Sequence, residues 1–433
     1  MKETLVIKKL GINGEGIGYI NKKICFIDGA LPDEEVEITI TENNKKYYKA
    51  ELNKIIKPSP YRKKANEEYR KYLGCKLMHL DYDHQLISKK QWIVDALNKY
   101  TTVSTNLVKD VIGADHIYNY RNIVRLPIAY FNGQLHVGIY ERESHYFTIM
   151  DDFILQNETI NKVIREILDI FNNHGLKDYY DKFKTGLRFI EMRCVNDKVQ
   201  ILMICGKNGI DEEVLNEIKE IKEVISVFYS INTSRQDFKL VGYKKIYGES
   251  KLVYNLNGIK LVHSIKADFP LNLEMEEVKN KVILSLINKE KSILYINGQT
   301  ALPLTLTQNV TCITDDRYIY EDAKNNIKFL KKENVDYIYG DIGEEAIKKC
   351  KKDHYDMMIY TSTSRNMNED VMDSLIKSKI RTLIYVTPHY STMAREIDAL
   401  KNYYSVKSIT PIDYEPHTSQ VLCILKLVKL VRK

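Results

Sequence analysis

The stretch from Ser292 to Asp341 constrains the fold more than any other part of this chain. Three short apolar runs, Ile293 to Ile296, Val310 to Ile313 and Tyr337 to Tyr339, are separated by two segments that favour helices. The first contains Pro303 near its start, and the second is a polar segment from about Tyr320 to Glu333. Strands and helices that alternate at this spacing are typical of parallel β-α-β units, whose ligands lie beyond the carboxyl ends of the strands. The sequence therefore predicts an α/β domain of the Rossmann-like kind.

Acidic residues follow the second and third of these predicted strands. Asp315 is well placed to bind the hydroxyls of a ribose, and Asp341 is placed to reach a base. The first turn, Asn297-Gly298, holds one glycine, whereas a phosphate or methionine group that approaches the backbone closely usually needs several. An α/β core that binds no ligand is therefore the alternative interpretation.

Length and composition predict a protein of two or three domains. The 433 residues are 44% hydrophobic and 28% charged, which is ordinary for soluble proteins. No apolar run approaches the ~18 residues of a membrane span, and the first ten residues lack the apolar core of a signal peptide. We therefore expect a cytoplasmic protein with no membrane partner.

The cysteines predict neither a disulfide framework nor a metal site. Seven of them are scattered along the chain, with no Cys-x-x-Cys pair, as expected of reduced thiols. The net charge of +7 and the abundance of lysine and tyrosine are compatible with phosphate contact and base stacking. A lysine-rich, AT-biased genome would give the same composition, so this observation alone does not identify RNA as a partner.

The first 57 residues predict a small β-barrel of about five strands. Alternating β-branched and aromatic residues are interrupted by turn signals, among them the glycines from Gly11 to Gly18. Closure into a barrel removes exposed sheet edges. One predicted hairpin carries basic and aromatic residues together, an arrangement that grips an RNA backbone and stacks bases; the alternative is a solvated hairpin. Its residues are Lys45, Lys46, Tyr47, Tyr48 and Lys49.

Several short blocks along this chain form an ordered series. The first three are Gly14 to Gly18, Phe26 to Glu34 and Ser59 to Arg62. The later blocks are Leu77 to Leu80 with Gln85, Lys89 and Lys90; Tyr120 to Asn122; Gly138 to Tyr140 with Ser144 and His145; Ser230 to Asn232; and Tyr247-Gly248. In this order the blocks resemble the RNA (uracil-5-)-methyltransferase family, and the first three resemble its RNA-binding TRAM domain. His145 taken alone is more typical of an ordinary surface or core histidine than of a catalyst.

The resemblance implies a multi-domain fold with three parts. We expect a TRAM or OB-like β-barrel over residues 1–58, a central α+β domain over residues 59–264, and an α/β Rossmann-like methyltransferase domain over residues 265–433. Residues from about 93 to 117 are expected to pack with the C-terminal domain. The central part contains a predicted amphipathic helix from Glu158 to Phe171.

Many members of the family carry an iron-sulfur cluster in the central part. The positions that match their cysteines are Asn66, Tyr72, the Leu73-Gly74-Cys75 segment and Phe153. A cluster needs about four thiolates, and only Cys75 remains. We therefore expect no iron-sulfur cluster.

The family methylates uracil at C5 with a cysteine nucleophile and a glutamate base, and the resemblance places neither residue here. A thiolate adds at C6, C5 takes the methyl group, and a base removes the C5 proton. The stretch from Tyr385 to Glu396 aligns Pro388 with the nucleophile, and the stretch from Pro416 to Leu422 aligns Leu422 with the base. Cys423 is adjacent to the base position, but consecutive strand residues face opposite ways, so it is a poor replacement.

S-adenosylmethionine is the family's cofactor, and the matching motifs are altered here. The cofactor turn corresponds to Ile293–Gln299, which contains the candidate contacts Tyr295, Asn297 and Gly298, and Asp315 and Asp341 remain on the acidic positions. Pro270 replaces a glutamine, and residues 361–365 replace an Asp-Pro-Pro-Arg segment. We therefore expect cofactor binding to be weak or absent.

Together, these patterns predict an RNA-binding member of this family, with a transfer or ribosomal RNA as target and a degenerate catalytic domain. Two alternatives stay open. One is an S-adenosylmethionine-dependent RNA methyltransferase that acts by a different route, for example on a nitrogen or a ribose oxygen. The other is an assembly partner of an active paralogue.

Overall fold

The computed structural model describes residues 2–140, 146–234 and 243–431 of the chain. Ser144 and His145, which belong to one of the family-like blocks, lie outside the described residues. The chain divides into two compact units. Unit 1 contains Met1–Ala114, Ser362–Met367 and Ile384–Lys433, and unit 2 contains Asp115–Thr361 and Asn368–Leu383. The three-part division drawn from the sequence stays a prediction.

The N-terminal barrel contains six strands, which are β1 (Lys2–Val6), β2 (Lys9–Leu10), β3 (Gly16–Ile20), β4 (Lys23–Ile27), β5 (Glu35–Asn43) and β6 (Tyr47–Lys57). The strand order is β1-β5-β6-β4-β3-β2. β1 pairs with β5 and β2 pairs with β3, while the amide of Lys8, between them, donates to the carbonyl of Ile17 at 2.7 Å. The bent segment made of β1 and β2 thus joins both edges of the sheet. Because β1 and β2 are almost continuous in the sequence, they resemble one strand there, and the sequence suggests about five strands instead of six.

One detail of the barrel differs from the sequence prediction. The predicted break from Gly11 to Gly18 is shorter, because β3 already begins at Gly16. A Cβ atom at Gly16 would lie 2.7 Å from the carbonyl oxygen of Ala30, and one at Gly18 would lie 2.3 Å from Leu5 Cδ1. These two glycines therefore do not form a turn. They lie within strand β3, where the lack of a side chain allows neighbouring residues to pack closely.

Two helices follow the barrel, α1 (Glu67–Tyr72) and α2 (Tyr82–Tyr100). The Asp81 side chain caps α2 by accepting from the amide of His84 at 2.9 Å. The helix buries one face. The buried residues are Gln85, Lys89, Trp92, Ile93, Ala96 and Leu97. Two polar residues therefore lie on a face that is otherwise apolar.

The N-terminal part of unit 2 is a mixed α+β layer. Its elements are β7 (Ile123–Phe131), β8 (Gln134–Tyr140), β9 (Phe147–Ile149), α3 (Glu158–Asn173), β10 (Leu187–Val195), β11 (Lys198–Cys205), α4 (Glu212–Glu220), β12 (Val224–Ile231), β13 (Tyr243–Gly248) and the hairpin β14 (Lys251–Leu256) and β15 (Ile259–Ser264). The larger sheet has the order β13-β12-β11-β10-β7-β8-β9. The predicted amphipathic helix is confirmed as α3 and extends two residues further, to Asn173.

The remaining elements alternate between helices and strands. They are α5 (Leu273–Leu286), β16 (Ser292–Ile296), α6 (Ala301–Thr305), β17 (Asn309–Thr314), α7 (Arg317–Leu330), β18 (Val335–Tyr339), α8 (Ile342–Lys352), β19 (Met357–Thr361), α9 (Glu369–Lys377), β20 (Thr382–Thr387), α10 (Tyr390–Leu400), β21 (Tyr404–Ile412) and β22 (Leu422–Lys429). In unit 2, the parallel strands lie in the order β18-β17-β16-β19. The predicted β-α-β-α-β arrangement is confirmed.

The two predicted helices between these strands are observed as α6 and α7. α6 is a single short turn, and Pro303 lies in that first turn, where an amide has no partner within the helix. α7 begins at Arg317, earlier than the predicted start near Tyr320, because the carboxylate of Asp316 accepts from the amides of Tyr318 and Ile319 at 2.7 and 2.9 Å.

Candidate functional site

The turn after β16 in unit 2 is built on a buried tyrosine ring. Asn297 adopts a left-handed conformation with φ of 55°, and its amide donates to the carbonyl of Ile313 at 3.0 Å. A Cβ atom at Gly298 would lie 2.0 Å from Cζ of Tyr295, so this position accepts only glycine without a shift of the ring. The single glycine of the turn is therefore required by packing.

Tyr295 itself is 1% exposed. Burial raises the pKa of its hydroxyl well above the ordinary range, and a hydrogen bond with the side chain of Thr361 acts against that rise. The ring forms the floor of the turn rather than an open surface. Its sequence-based assignment as a cofactor contact stays a prediction, as do those of Asn297 and Gly298.

The two acidic candidates at the strand ends differ in their availability. Asp341 is the N-cap of α8 and accepts from the amide of Glu344 at 2.9 Å, so one of its oxygens is engaged. Asp315 is exposed and forms no hydrogen bond with any described residue, while its neighbour Asp316 caps α7. Asp315 thus has both oxygens available for the paired hydroxyls of a ribose.

The segment that includes Pro270 is firmly held but lacks a polar side chain at that position. Asn272 caps α5 by accepting from the amide of Met275 at 3.1 Å. Phe269 packs edge-on against Tyr254 and His263, with ring centroids 5.3 and 5.2 Å apart. Pro270 is buried between these two anchors and offers no side-chain hydrogen bond.

In unit 1, Pro388 lies between a strand and a helix. β20 ends at Thr387 and α10 begins at Tyr390. The hydroxyl of Thr387 accepts from the amide of His389 at 3.1 Å, which fixes the turn. Pro388 is half-buried in this turn, and its ring carries no nucleophile.

Leu422 opens β22, where it pairs with Ile412 of β21. Its neighbour Cys423 is completely buried, and burial raises the pKa of that thiol to about 12. Six of the seven cysteines are buried, and the half-buried Cys350 has its pKa raised by burial to about 11. None of these thiols is an exposed thiolate, which is the form that attacks a base.

A buried polar cluster supports the segment that leads to Leu422. Nζ of Lys89 donates to Oδ1 of Asp413 at 2.5 Å, and both side chains are 0% exposed. Burial lowers the pKa of Lys89, and the Asp413 carboxylate acts against that change. Nε2 of Gln85 lies 3.0 Å from Nδ1 of His417, and Oε1 of Gln85 accepts from the amide of His417 at 3.1 Å.

The same segment is also held by backbone contacts. The carbonyl of His417 accepts from the amide of Leu77 at 2.9 Å, and the amide of Asp413 donates to the carbonyl of Ile112 at 2.8 Å. Two of the family-like blocks, Leu77 to Lys90 and Pro416 to Leu422, therefore meet in unit 1. The sequence identified Gln85 and Lys89 by resemblance but did not indicate their partners, since these lie more than 300 positions away.

The loop that resembles an iron-sulfur site is stabilised by other groups. Asn66 caps α1 by accepting from the amides of Glu68 and Tyr69. Arg70, which is 3% exposed, contacts the carboxylates of Asp28 and Glu67 at 2.9 Å each. Among the residues that the structure describes, no three His, Cys, Asp or Glu side chains are placed to share a metal ion. The absence of a cluster in the protein stays a prediction.

The predicted RNA-binding hairpin lies between β5 and β6. Lys45 and Lys46 are exposed at its tip. Tyr47 packs edge-on against Phe26 with centroids 5.8 Å apart, and Lys49 pairs with Glu42 at 2.9 Å. The ring of Tyr48 lies under Nζ of Lys23 at 3.8 Å. Two lysines are thus open to phosphate, while both tyrosines are half-buried and packed.

Comparison with known proteins gives consistent results. Residues 3–52 match the family model of the TRAM domain. An uncharacterized RNA methyltransferase of Bacillus anthracis is 30% identical over 98% of this chain and 96% of its own length, and one of Bacillus cereus is 29% identical over 98% and 96%. The crystal structure of Pyrococcus abyssi tRNA (uracil-54, C5)-methyltransferase with S-adenosyl-L-homocysteine shares the fold, with a TM-score of 0.79 and 20% identity over 99% of this chain and 100% of that one. No described helix is long and apolar enough to cross a membrane.

Proposed function

Because this chain belongs to the RNA methyltransferase family and has the fold of the (uracil-5-) enzymes, we propose that it binds a transfer or ribosomal RNA and does not methylate uracil at C5. One observation carries the negative part of this proposal. The strand-to-helix turn of unit 1 holds Pro388 where the resemblance places the nucleophile, and β22 begins with Leu422 where it places the base.

The cysteines support the same conclusion. A substitute nucleophile must be an accessible thiol that loses its proton readily. Burial instead raises the pKa of Cys423, next to the base position, to about 12. Cys350, the half-buried thiol, lies on α8 in unit 2 with its pKa raised to about 11. Neither thiol meets the requirement.

The test is covalent trapping with RNA that contains 5-fluorouridine. After a thiolate has added at C6 and C5 has taken the methyl group, fluorine at C5 cannot leave as a proton does, so the enzyme stays bound to the RNA. We expect the purified protein with S-adenosylmethionine to form no gel-stable adduct and to leave unmodified RNA without 5-methyluridine. An adduct, mapped to a cysteine by mass spectrometry, would contradict the proposal.

RNA binding by the barrel rests on the TRAM match and on two exposed lysines of the hairpin, Lys45 and Lys46. Each phosphate that a lysine neutralises releases counterions, so binding weakens as salt rises. Lys45→Ala with Lys46→Ala should lower affinity for transfer or ribosomal RNA and flatten its salt dependence. Lys54→Ala, which removes an exposed lysine of β6 away from the hairpin tip, is the control.

For the cofactor, we propose that S-adenosylmethionine binds weakly or not at all. The turn at Asn297 and Gly298 is fixed by the Tyr295 ring, and Pro270 gives no polar contact, whereas Asp315 remains available. Calorimetry should detect no micromolar affinity. If such affinity is found, Asp315→Ala should abolish it and Asp336→Ala, an exposed carboxylate of β18, should not.

The free carboxylate of Asp315 is the observation that favours the second candidate, a methyltransferase that acts on a nitrogen or a ribose oxygen. Such an enzyme needs neither a cysteine nucleophile nor the C5 base. Incubation of labelled cofactor with cellular RNA distinguishes the two candidates, because label in the base or the ribose of any nucleoside other than 5-methyluridine supports the second. Partnership with an active paralogue and a cytoplasmic location stay predictions.

A further inference from the structure

Unit 2 carries a group of exposed aromatic side chains that no part of the proposed function uses. One is Tyr130, at the end of β7, which is 43% exposed. Two more are on the loop between α3 and β10, where Tyr180 and Phe183 are 55% and 63% exposed. Single exposed rings are common, but several together, with basic residues among them, indicate a contact surface. We call these three residues, with Lys177 and Lys182, the aromatic patch.

The loop that carries Tyr180 and Phe183 is ordered by its own backbone. The amide of Tyr180 donates to the carbonyl of Thr185, and the amide of Leu187 donates to the carbonyl of Lys177, both at 2.9 Å. Gly186 has φ of 99°, and a Cβ atom there would lie 2.1 Å from the carbonyl oxygen of Asp178. The two exposed rings are therefore presented by a fixed hairpin, so little conformational entropy is lost when a ligand binds.

The hairpin lies next to the end of β7. The amide of Tyr130 donates to the carboxylate of Asp178 at 3.0 Å, and Nζ of Lys177 lies 4.2 Å from the centroid of the Tyr130 ring. Tyr180 and Phe183 contact each other edge-on, with centroids 5.3 Å apart. The rings of both segments thus belong to one surface.

The charge of this surface favours an anionic ligand. The carboxylate of Asp178 accepts from Tyr130, and that of Asp181 pairs with Lys184 at 3.0 Å. Lys177 and Lys182 are exposed and have no carboxylate partner in the part of the chain that the structure describes. Nζ of Lys182 lies 5.6 Å from the centroid of Phe183. Both ammonium groups lie over ring faces, where they are attracted by the π electrons.

We propose that the aromatic patch binds an unpaired segment of RNA, whose bases stack on Tyr180, Phe183 and Tyr130. This inference rests on the RNA binding of the proposed function and adds a second contact to it. Lysine side chains are flexible, so a base can take the place of the ammonium group on a ring while the ammonium group moves to the adjoining phosphate. Stacking of this kind needs unpaired bases, because the faces of paired bases are covered by their neighbours.

The test uses the full chain with two RNA probes, a short hairpin with an unpaired loop and a blunt duplex. Tyr180→Ala with Phe183→Ala should weaken binding of the hairpin about tenfold or more, since stacking on an aromatic side chain contributes roughly that factor per base. Binding of the duplex should change little. Both residues are exposed, so the fold should be retained, which circular dichroism checks.

Two matched variants sharpen the test. Tyr180→Phe with Phe183→Tyr keeps both rings and should keep the affinity for the hairpin. Phe329→Ala removes a ring that is 52% exposed on α7, elsewhere in unit 2, and should have no effect. A fluorescent base analogue in the loop should be quenched by the original protein and by the ring-swapped variant, but not by the double alanine variant.

The outcomes separate this inference from the proposed function. If the original protein binds neither RNA probe, nor transfer or ribosomal RNA, both proposals fail. If it binds RNA through Lys45 and Lys46 but the double alanine variant binds the hairpin as well as the original does, RNA binding stands and the aromatic patch is not part of it.

Discussion

The two regions that correspond to family motifs are built in different ways. In unit 1, the segment around Leu422 is supported by charges that are fully buried, among them Lys89 and Asp413, yet no reactive side chain lies at the two motif positions. In unit 2, the strand ends are held by helix caps and by one tightly packed glycine, and the carboxylate of Asp315 is exposed. Under the proposed function, framework and chemistry are separable, because the contacts that hold the backbone around Leu422 stay in place without a reactive side chain at that position.

The difference also predicts where each region is vulnerable. A buried ion pair is costly to break, because the remaining charge has no partner and no water. Helix caps and exposed carboxylates are individually worth less, typically about 1 kcal/mol for a cap. Substitutions in unit 1 should therefore act on folding, and those at the strand ends of unit 2 should act on local packing or on ligand affinity.

The largest expected effect comes from Lys89→Ala. This change leaves the carboxylate of Asp413 buried without its partner and should destabilise unit 1 by about 3–5 kcal/mol. Lys90→Ala is the matched control, since Lys90 pairs with the exposed Asp110 at 2.7 Å and such pairs contribute at most about 1 kcal/mol. Urea unfolding can be followed by the fluorescence of Trp92, the single tryptophan, which lies on α2 in unit 1.

A second variant tests the reason for that loss. Lys89→Met with Asp413→Leu removes both charges and should recover much of the stability, because an apolar pair does not carry the penalty of a lone buried charge. Equal unfolding midpoints for Lys89→Ala and Lys90→Ala would show that the buried pair contributes no more than a surface pair.

The sequence predicts the two regions unequally. The strands and helices of residues 292–341 follow from local periodicity, and the main error, the start of α7, arises because Asp316 rather than a later residue caps the helix. The buried pair could not be found in this way, since its partners are 324 positions apart and nothing near Lys89 indicates Asp413. The sequence did contain one sign that Lys89 is buried. Gln85 and Lys89 lie on the same helical face as the apolar residues Trp92 and Ile93.

The next effect concerns the turn of unit 2. Gly298→Ala would place a Cβ atom 2.0 Å from Cζ of the buried Tyr295 ring, and such overpacking typically costs about 1–3 kcal/mol. Gly340→Ala, at the end of β18, is the control, because the nearest atom there is Cγ of the flexible Glu345 side chain at 3.1 Å. Hydrogen exchange should increase in peptides of β16 and β17 for the first variant and stay unchanged for the second.

A smaller effect depends on pH and returns to unit 1. Burial lowers the pKa of His417 from 6.5 to about 4, with a further contribution from Lys89. Above pH 6.5 the imidazole is neutral in both the folded and the unfolded protein, so it contributes nothing to the pH dependence of stability. As the pH falls below 6.5, the unfolded chain takes up the proton first, so stability is lost progressively until the pH reaches about 4.

At pH 5 this linkage amounts to about 2 kcal/mol relative to neutral pH. His417→Asn should therefore reduce the acid sensitivity of the Trp92 transition, and asparagine tolerates the left-handed φ of 67° at this position. His389→Asn, which removes an exposed imidazole, serves as the control. An unchanged slope of stability against pH in the His417 variant would assign the acid sensitivity to other groups.

The smallest effect is expected from substitutions at the two motif positions of unit 1, and this test is the most informative about the difference between the two regions. Pro388→Cys with Leu422→Glu places a nucleophile and a base at the two positions that the resemblance assigns to them, yet we expect no 5-methyluridine, because we propose that S-adenosylmethionine binds weakly or not at all at the turn of unit 2. General-base assistance is worth about 10²–10⁴ in rate, which is of no use without a methyl donor. Trapping on RNA with 5-fluorouridine and methyl transfer must therefore be measured separately, with Pro388→Ser and Leu422→Gln as the control. Because a stable adduct forms only after C5 has taken the methyl group, an adduct without 5-methyluridine would show that the cofactor is used and that removal of the C5 proton fails. Formation of 5-methyluridine would show that S-adenosylmethionine binds well enough for turnover and that the two substituted residues complete the cycle.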